Sequence, residues 1–404
     1  MLINQSFEID SCDDVELNIK RTSKLEYRIS YDDEKEIKAI VFIIGGYGAN
    51  ANIYFLDSYR NYIAKNFDVV AVHVFYHCFC QRRSDVEKYS AFTMFTKDDV
   101  SNLSQALLEI GVNINVNLEN AQQCYELLNQ NITTLKSQRK LAQNYQAKFT
   151  STFIPPNGDY QNFGIMAAID HINALKDLVK RFPKFADLPK IYGGGSYGGY
   201  LSLLIAKIAP WYVDGVIDNS GSALPPLNYI LGREMEHSYG DYYEDFPHNR
   251  IIFFLKTHWT RKENSPYFFN NENYFIRTLL NKDHLILQSQ KNKNIIYVSY
   301  HSDKDPLTPA NFKQQTMQIL KILGYDVSLN LIDENKIDGK FIKNLDHGCG
   351  IPDKALFRKE LPLMLEKLQG RKSFMQENSI SYPCGNKVFI FKDVGDKFEL
   401  VIKD

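Results

Sequence analysis

The sequence predicts an α/β protein with a mostly parallel central sheet and helices on both faces. The first observation is two uninterrupted apolar runs, KAIVFII at 38–44 and FDVVAVHVF at 67–75, typical of strands buried on both faces. The second is the helical pattern between them at 54–65, because strand, helix and strand at this spacing form a βαβ unit. The third is that this alternation resumes at Phe163 and continues to residue 368.

The remaining elements follow in chain order. Before the first buried run, period-two alternation predicts strands in FEID at 7–10, VELNIKRT at 15–22 and LEYRIS at 25–30. After Phe163 the patterns predict a helix at 166–182, a strand at 190–192, a helix at 201–209, strands at 213–221 and 294–300, a helix at 310–323, a strand at 327–332 and a helix at 353–368. The tail predicts a β-hairpin around Gly395.

Composition excludes several classes of protein. With 47 basic and 48 acidic residues among 404, the chain lacks the basic excess of a general nucleic-acid binder, and 44% hydrophobic residues exclude a disordered chain. Six scattered cysteines do not form a disulfide scaffold. The first residues lack a signal-peptide pattern, and no apolar run reaches the ~18 residues of a membrane span. We therefore expect a cytoplasmic protein with neither nucleic-acid nor membrane partners.

Two segments interrupt the α/β alternation, at 81–158 and 223–285. The first is rich in polar residues and carries an apolar stripe at helical spacing from Leu118 to Ala142. That stripe is compatible with a contact to another subunit in a homo-oligomer, with a cap over a site, or with a surface helix packed on its own domain. The predicted organisation is one catalytic domain at 1–370, with a helical cap insertion and a lid-like insertion, followed by an extension at 371–404.

A G-x-S-x-G pattern, Gly194-Gly195-Ser196-Tyr197-Gly198, lies between a predicted strand and a predicted helix. This context is typical of a nucleophile elbow, in which serine occupies a tight turn and glycines remove Cβ atoms that would clash. A phosphate-binding loop shares the strand–loop–helix geometry. However, no Lys-Ser/Thr follows the glycines, and the G-x-G-x-x-G fingerprint is not matched.

A serine elbow requires an acid and then a histidine later in the chain. Asp303 and Asp305 follow the predicted strand at 294–300, and His347 precedes the predicted helix at 353–368. Order and position therefore identify His347 as the candidate base and leave two candidate acids.

These residues carry a resemblance to the α/β-hydrolase superfamily, above all to its prolyl-oligopeptidase-like and dienelactone-hydrolase-like esterases. Residues 301–309 resemble the H-G-x-x-D-x-x-V-P acid loop of those enzymes, except that Ser302 and Thr308 replace Gly and Val. The resemblance implies Asp305 as the acid and His347, in a D-H-G loop, as the base. It also implies the α/β-hydrolase fold.

The same resemblance extends to the loop after the first buried strand. Gly45-Gly46-Tyr47-Gly48 resembles the H-G-x loop of related esterases, with Gly45 in place of His. It implies an oxyanion hole made of the amides of Tyr47 and Tyr197; a flexible βα turn is the alternative. The resemblance covers 37–80, 160–222 and 263–370. The whole chain also resembles an uncharacterised family of unknown function found mainly in ε-proteobacteria.

The stretch HVFYHCFC at 73–80 resembles a zinc site in composition only. No second pair of ligands follows at the usual spacing, so we predict neither a metal nor a cofactor, with packing roles for these residues and for Cys349.

The resulting prediction is a serine hydrolase, an esterase or deacylase with a Ser196-Asp305-His347 triad and an acyl-enzyme intermediate. Its expected substrate is an acylated carbohydrate or another small polar ester. An acyltransferase on the same triad and a non-catalytic scaffold on a hydrolase fold are the alternatives, and a peptidase is less favoured.

Overall fold

The computed structural model describes residues 1–48, 52–235 and 240–404. They form two compact units. Unit 1 comprises Met1–Phe79, Phe163–Pro226 and Phe269–Asp404, and unit 2 comprises Cys80–Asn162 and Leu227–Phe268.

The strands are β1 (Leu2–Asp10), β2 (Lys24–Asp32), β3 (Ile40–Ile43), β4 (Val70–Phe75), β5 (Phe92–Met94), β6 (Ala147–Ile154), β7 (Lys190–Gly195), β8 (Gly215–Asn219), β9 (Tyr242–Asp245), β10 (Asn249–Leu255), β11 (Ile296–Ser302), β12 (Asp326–Ile332), β13 (Ser379–Cys384), β14 (Lys387–Val394) and β15 (Lys397–Lys403). The α-helices are α1 (Ile53–Phe67), α2 (Lys97–Glu109), α3 (Ala121–Ser137), α4 (Ile165–Arg181), α5 (Tyr197–Ile208), α6 (Leu227–Leu231), α7 (Asn271–Arg277), α8 (Lys282–Lys291), α9 (Ala310–Ile322) and α10 (Asp353–Lys367).

Unit 1 is built on an eight-stranded sheet in the order β1-β2-β4-β3-β7-β8-β11-β12. Among its described strands, β2 alone runs antiparallel to both neighbours, and every other pair is parallel. The mostly parallel α/β-hydrolase fold predicted from the sequence is thereby confirmed. The alternation of strands and helices produces it, because parallel neighbours need crossover connections.

The central strands are buried on both faces, as their uninterrupted apolar sequences predicted. In β3, Val41 and Ile43 join a buried cluster with residues of α1 and α10. The intervening Phe42 points to the opposite face, where its ring lies 6.0 Å from that of His171 on α4. Helices therefore cover both faces of the sheet, and the carboxyl ends of its parallel strands lie along one edge.

The strand predicted at 15–22 is wrong: these residues form a turn closed by an isolated bridge between Asp14 and Ile19. The Asp14 carboxylate accepts a 3.1 Å hydrogen bond from the Leu17 amide, and Asn18 has a φ of 53°. Glu16, which would be an outward residue of a strand, forms a buried 2.6 Å ion pair with Arg277. This distant partner outweighs the local period-two pattern.

Unit 2 joins the two inserted segments in a four-stranded sheet, ordered β5-β6-β10-β9. The sequence predicted helices in the first insertion, where α2 and α3 lie, but it did not predict this sheet. The second inserted segment, Leu227–Phe268, is shorter than the predicted 223–285, because α7 and α8 belong to unit 1.

The helix of the first insertion is shorter at both ends than the predicted stripe from Leu118 to Ala142. Helix α3 begins at Ala121, while Leu118 lies outside it and is exposed. Leu128 and Ile132 are fully buried, and the ring of Tyr125 lies 5.8 Å from that of Phe149 on β6. Part of the stripe therefore packs within unit 2, as in a surface helix on its own domain, and a homo-oligomer contact through this insertion stays a prediction.

The C-terminal segment forms a three-stranded antiparallel sheet, β13-β14-β15. It contains the hairpin around Gly395 and one strand more than the sequence predicted. The Asp393 carboxylate accepts hydrogen bonds from Trp211 at 3.1 Å and Tyr212 at 2.9 Å, which attach this sheet to the segment before β8.

In the described ranges, none of the helices combines the length and apolarity that crossing a membrane requires.

Candidate active site

Ser196 occupies the sharp turn between β7 and α5. Its φ of 55° and ψ of −118° are unusual for a residue with a side chain and cost on the order of 1–3 kcal/mol. The Ser196 amide donates a 2.7 Å hydrogen bond to the Asn219 carbonyl at the end of β8. Neighbouring strands thus hold the strained turn, as a nucleophile elbow requires.

The glycines on either side of Ser196 allow the turn to approach β3. A Cβ atom added to Gly194 would lie 1.8 Å from the Ile44 carbonyl oxygen, and one added to Gly198 would lie 2.0 Å from it. Real atoms do not approach so closely, so both positions require glycine. The sequence pattern G-x-S-x-G therefore has a direct steric cause in this fold.

The structure brings Ser196, His347 and Asp305 together in a hydrogen-bonded chain. Ser196 Oγ lies 2.7 Å from His347 Nε2, and His347 Nδ1 lies 2.8 Å and 3.1 Å from the two Asp305 carboxylate oxygens. A carboxylate only accepts hydrogen bonds, so Nδ1 carries the proton and Nε2 is the acceptor for the serine hydroxyl. This is the geometry of a serine activated by a general base.

Asp305 is a buried residue of the loop after β11 and accepts several hydrogen bonds. Burial raises the pKa of its carboxyl, but His347 and the amides of Thr308 and Leu307, which donate hydrogen bonds to it, lower the pKa to about 2 overall. Asp303, the other candidate acid, is exposed. The structure thus places Asp305, and not Asp303, against His347.

The loop at 45–48 lies against the elbow. A Cβ atom on Gly46 would be 3.3 Å from the Gly195 carbonyl oxygen and 3.5 Å from Ser196 Cβ. The ring of Tyr47 packs edge-on against that of Tyr197, with centroids 5.7 Å apart. Tyr197 is the first residue of α5, where amides have no acceptor within the helix. Both candidate oxyanion-hole residues therefore flank Ser196.

Burial raises the pKa of the Tyr197 phenol well above its ordinary value, so the phenol is neutral in the folded protein.

Asn219 and Ser220, at the end of β8, are site residues that sequence analysis missed. The side-chain amide of Asn219 donates a 2.9 Å hydrogen bond from Nδ2 to the carbonyl of Gly348. The backbone amide of Gly348 in turn donates a 3.1 Å hydrogen bond to Ser220 Oγ. Together with the Ser196–Asn219 bond, these contacts connect the nucleophile turn to the histidine loop. The available signal was the polar triplet Asn-Ser-Gly at the carboxyl end of a buried strand.

Asp353, the first residue of α10, is a second residue that sequence analysis missed. Desolvation raises the pKa of its carboxyl to about 6, although it accepts a hydrogen bond from the backbone of Gly195, next to the nucleophile. Its only sequence signal was an acidic residue at a helix start, which is common.

The HVFYHCFC stretch lies on and directly after β4, and its two histidines and two cysteines are buried. His73 is buried beside the rings of Phe75 and Phe79, each 6.0 Å away. In the parts of the chain that the structure describes, no group of three His, Cys, Asp or Glu side chains is arranged to hold a metal ion. Cys349 is fully buried, and desolvation raises the pKa of its thiol to about 11, so it is not a second nucleophile.

Comparison with protein families and solved structures gives the following similarities. Residues 5–402 match the model of one family, described as a protein of unknown function, DUF2920. The chain is similar to acylaminoacyl peptidase of Pyrococcus horikoshii, with 14% identity, a TM-score of 0.45, and coverage of 93% of this chain and 43% of the peptidase. It thus spans less than half the length of that enzyme.

Two shorter proteins are similar over most of their own length. A putative dienelactone hydrolase of Klebsiella pneumoniae is 9% identical, with a TM-score of 0.43 and coverage of 91% of this chain and 99% of that protein. Est1E of Butyrivibrio proteoclasticus, solved with ferulic acid bound, is 10% identical, with a TM-score of 0.42 and coverage of 85% and 96%. A search of curated protein sequences found no match.

Proposed function

Because the chain belongs to DUF2920, a family of unknown function, we propose its activity from the site itself: a serine hydrolase that cleaves esters through an acyl-enzyme. The observation that carries the proposal is the hydrogen-bonded chain from Ser196 Oγ through His347 to Asp305. Three side chains from three distant loops meet at the carboxyl edge of the sheet in the order and geometry of a serine triad.

In the proposed first step, Ser196 Oγ forms a bond to the ester carbonyl carbon while its proton passes to His347 Nε2. Asp305 stabilises the resulting imidazolium through the Nδ1 hydrogen bond. The carbonyl electron pair moves onto oxygen, which the amides of Tyr47 and Tyr197 would receive. The first turn of α5 adds the favourable end of its helix dipole at the same place.

In the following steps the carbon–oxygen bond to the alcohol breaks, and the alcohol leaves with the proton from His347. Water then attacks the carbonyl carbon of the acyl-enzyme and gives a proton to His347. The bond between that carbon and Ser196 Oγ breaks, His347 returns a proton to Ser196 Oγ, and the free acid leaves. If another alcohol replaces water, the same residues carry out acyl transfer. The acylated carbohydrate or small polar ester that we expect as substrate rests on the sequence alone.

Substitution of Ser196 tests the proposal. Ser196→Ala should reduce kcat/KM for a chromogenic short-chain ester on the order of 10⁴-fold or more, because the nucleophile is lost, and should leave the circular dichroism spectrum unchanged. Ser289→Ala is a matched control: this buried serine on α8 donates to the Ile286 carbonyl, away from the triad. A Ser196→Ala protein with full activity would overturn the assignment.

A fluorophosphonate probe separates the enzyme from the non-catalytic alternative. The folded wild-type protein should be labelled at Ser196, and Ser196→Ala should not be labelled. Absence of labelling in the wild type would favour a scaffold. Hydrolysis and acyl transfer are distinguished by product analysis with and without an added sugar as acceptor.

A further inference from the structure

The acid loop, residues 301–309, differs from the H-G-x-x-D-x-x-V-P pattern at two positions, and both substituted side chains make hydrogen bonds that Gly and Val could not. Ser302 Oγ donates a 2.6 Å hydrogen bond to the carbonyl of Leu345, two residues before His347. Thr308 Oγ1 lies 2.8 Å from Asp305 Oδ2. The second contact reaches the triad directly.

The geometry decides where the single hydroxyl proton of Thr308 goes. The Ser220 carbonyl, another acceptor, lies 3.4 Å from Thr308 Oγ1, against 2.8 Å for the Asp305 carboxylate, while His347 Nδ1 already carries a proton and cannot accept. The shorter bond to a charged acceptor is the stronger one. Thr308 is buried, so water does not compete for the proton.

The Thr308 hydroxyl and His347 bond to the same carboxylate oxygen of Asp305. Asp305 Oδ2 is also the oxygen nearest to His347, at 2.8 Å from Nδ1, while the amides of Leu307 and Thr308 both donate to Oδ1. A carboxylate oxygen that accepts an additional hydrogen bond stabilises a positive charge on its other partner less strongly. The Thr308 hydroxyl therefore competes with His347 for the same oxygen.

Other titratable groups near this contact are neutral, paired or exposed to solvent. His301 Nε2 lies 3.8 Å from Asp305 Oδ2 and donates to the Thr308 carbonyl at 2.7 Å, and burial lowers its pKa. Lys313, which faces His301, is paired with Asp218 at 2.6 Å. The Cys349 thiol is neutral because its pKa is raised, and Asp303 is exposed.

We propose that Thr308 is a positioning residue that acts through Asp305: its hydroxyl withdraws charge from the carboxylate, so that His347 remains an unprotonated base at lower pH. This inference builds on the proposed serine hydrolase. It explains what the threonine adds at a position where valine occupies the same volume without a donor.

The test is the pH dependence of kcat/KM in Thr308→Val. Loss of the hydroxyl should move the acid limb to higher pH by about half a unit, because His347 then binds its proton more tightly. Thr308→Ser keeps the hydroxyl and should retain the wild-type limb. Thr316→Val, a matched change on α9 where the hydroxyl bonds the Phe312 carbonyl at 2.9 Å, should also retain it.

A second readout does not depend on activity. The imidazole of His347, assigned by comparison with His347→Gln, is titrated by NMR in the wild type and in Thr308→Val. A titration midpoint of His347 at higher pH in Thr308→Val than in the wild type supports the inference, and equal midpoints overturn it. If the wild type hydrolyses no ester, the proposed function fails, while this titration still decides the role of Thr308.

Folding of the variants is checked by circular dichroism. If Thr308→Val does not fold, Thr308→Ala removes the same hydroxyl without a second methyl group. If neither variant folds, Thr308 is a structural residue, and the inference is overturned.

Discussion

At the scale of single residues, Asp303 and Asp305 lie two positions apart in opposite environments. Asp305 is 7% exposed and accepts hydrogen bonds from His347, from two amides and from Thr308. Asp303 is exposed to solvent. A turn beginning at Ser302, whose carbonyl accepts from the Asp305 amide at 3.4 Å, directs one carboxylate inward and leaves the other outside.

This difference predicts unequal effects of the same substitution. Asp305→Asn should reduce kcat on the order of 10⁴-fold, because an amide nitrogen cannot accept the Nδ1 proton and the imidazole is held in the wrong tautomer. Asp303→Asn, the matched control, should keep wild-type kinetics. Steady-state kinetics on a chromogenic ester measure both, and the reverse pattern would identify Asp303 as the acid.

At the scale of elements, the end of β3 and the elbow between β7 and α5 are in contact without side chains between them. The Ile44 carbonyl lies where a Cβ atom of Gly194 or Gly198 would be. This contact also places the loop at 45–48 beside Ser196. The elbow and the loop at 45–48 are therefore packed together, and a side chain at Gly194 would separate the elbow from Ile44.

Gly194→Ala should accordingly lower the free energy of unfolding by about 4 kcal/mol or more and abolish activity. Gly324→Ala, after α9, is the control: its φ is +95° and no atom lies within 4 Å of the added Cβ, so strain alone costs about 1–2 kcal/mol. Urea unfolding measures both. Equal losses would show that the contact with Ile44 relaxes easily.

Unit 2 depends on a buried ion pair between its two segments. Arg233 lies 2.5 Å from Asp99 on α2, whose carboxylate is fully buried, and it also donates to Thr150 and Thr152 on β6 at 2.7 Å. Residues 227–268 are thus joined to residues 80–162 by a charged network as well as by the pairing of β6 with β10.

Arg233→Met should destabilise unit 2 by about 3–5 kcal/mol, because it leaves the Asp99 carboxylate buried without its cation. Faster proteolytic cleavage within 80–162 or 227–268 is the expected readout. Arg83→Met removes an exposed ion pair with Glu244 in the same unit and should cost less than about 1 kcal/mol. Equal cleavage rates in the two variants would contradict the prediction.

At the scale of the whole molecule, several histidines of unit 1 are buried as neutral rings. Desolvation lowers the pKa of His73 to about 3, of His171 to about 4 and of His284 to about 3, from an ordinary value of 6.5. Below pH 6.5 the unfolded chain binds protons at these positions, whereas the folded protein does not. Folding stability is therefore complete above pH 6.5 and declines as the pH falls toward 4 and 3.

Each of these groups should contribute a slope of up to about 1.4 kcal/mol per pH unit to the free energy of unfolding in that window. Denaturant titrations between pH 7.5 and about 4.5 measure the slope. His73→Leu should reduce the slope by the share of one group. A free energy that rises as the pH falls would contradict the assignment of neutral rings.

Cytoplasmic location, the ε-proteobacterial distribution and the substrate remain predictions. Membership of DUF2920 agrees with the expected family of unknown function but assigns no activity.

The fold class and the candidate triad could be predicted from the sequence because their signals are local. Apolar runs identify central strands, and order along the chain identifies Ser196 and His347, while the resemblance to the H-G-x-x-D-x-x-V-P acid loop selects Asp305 over Asp303. The glycines of the elbow are also a local signal, because the steric requirement for them at one turn appears as a pattern within five consecutive residues.

Three-dimensional packing decided the rest, because the deciding contacts join residues far apart in the chain. Glu16 pairs with Arg277 in a turn where the local pattern predicted a strand. The pairing of β6 with β10 joins two separate insertions in one sheet. Asn219 became part of the site only because its neighbours in space come from two other loops. Such contacts depend on chain topology, which no local pattern encodes.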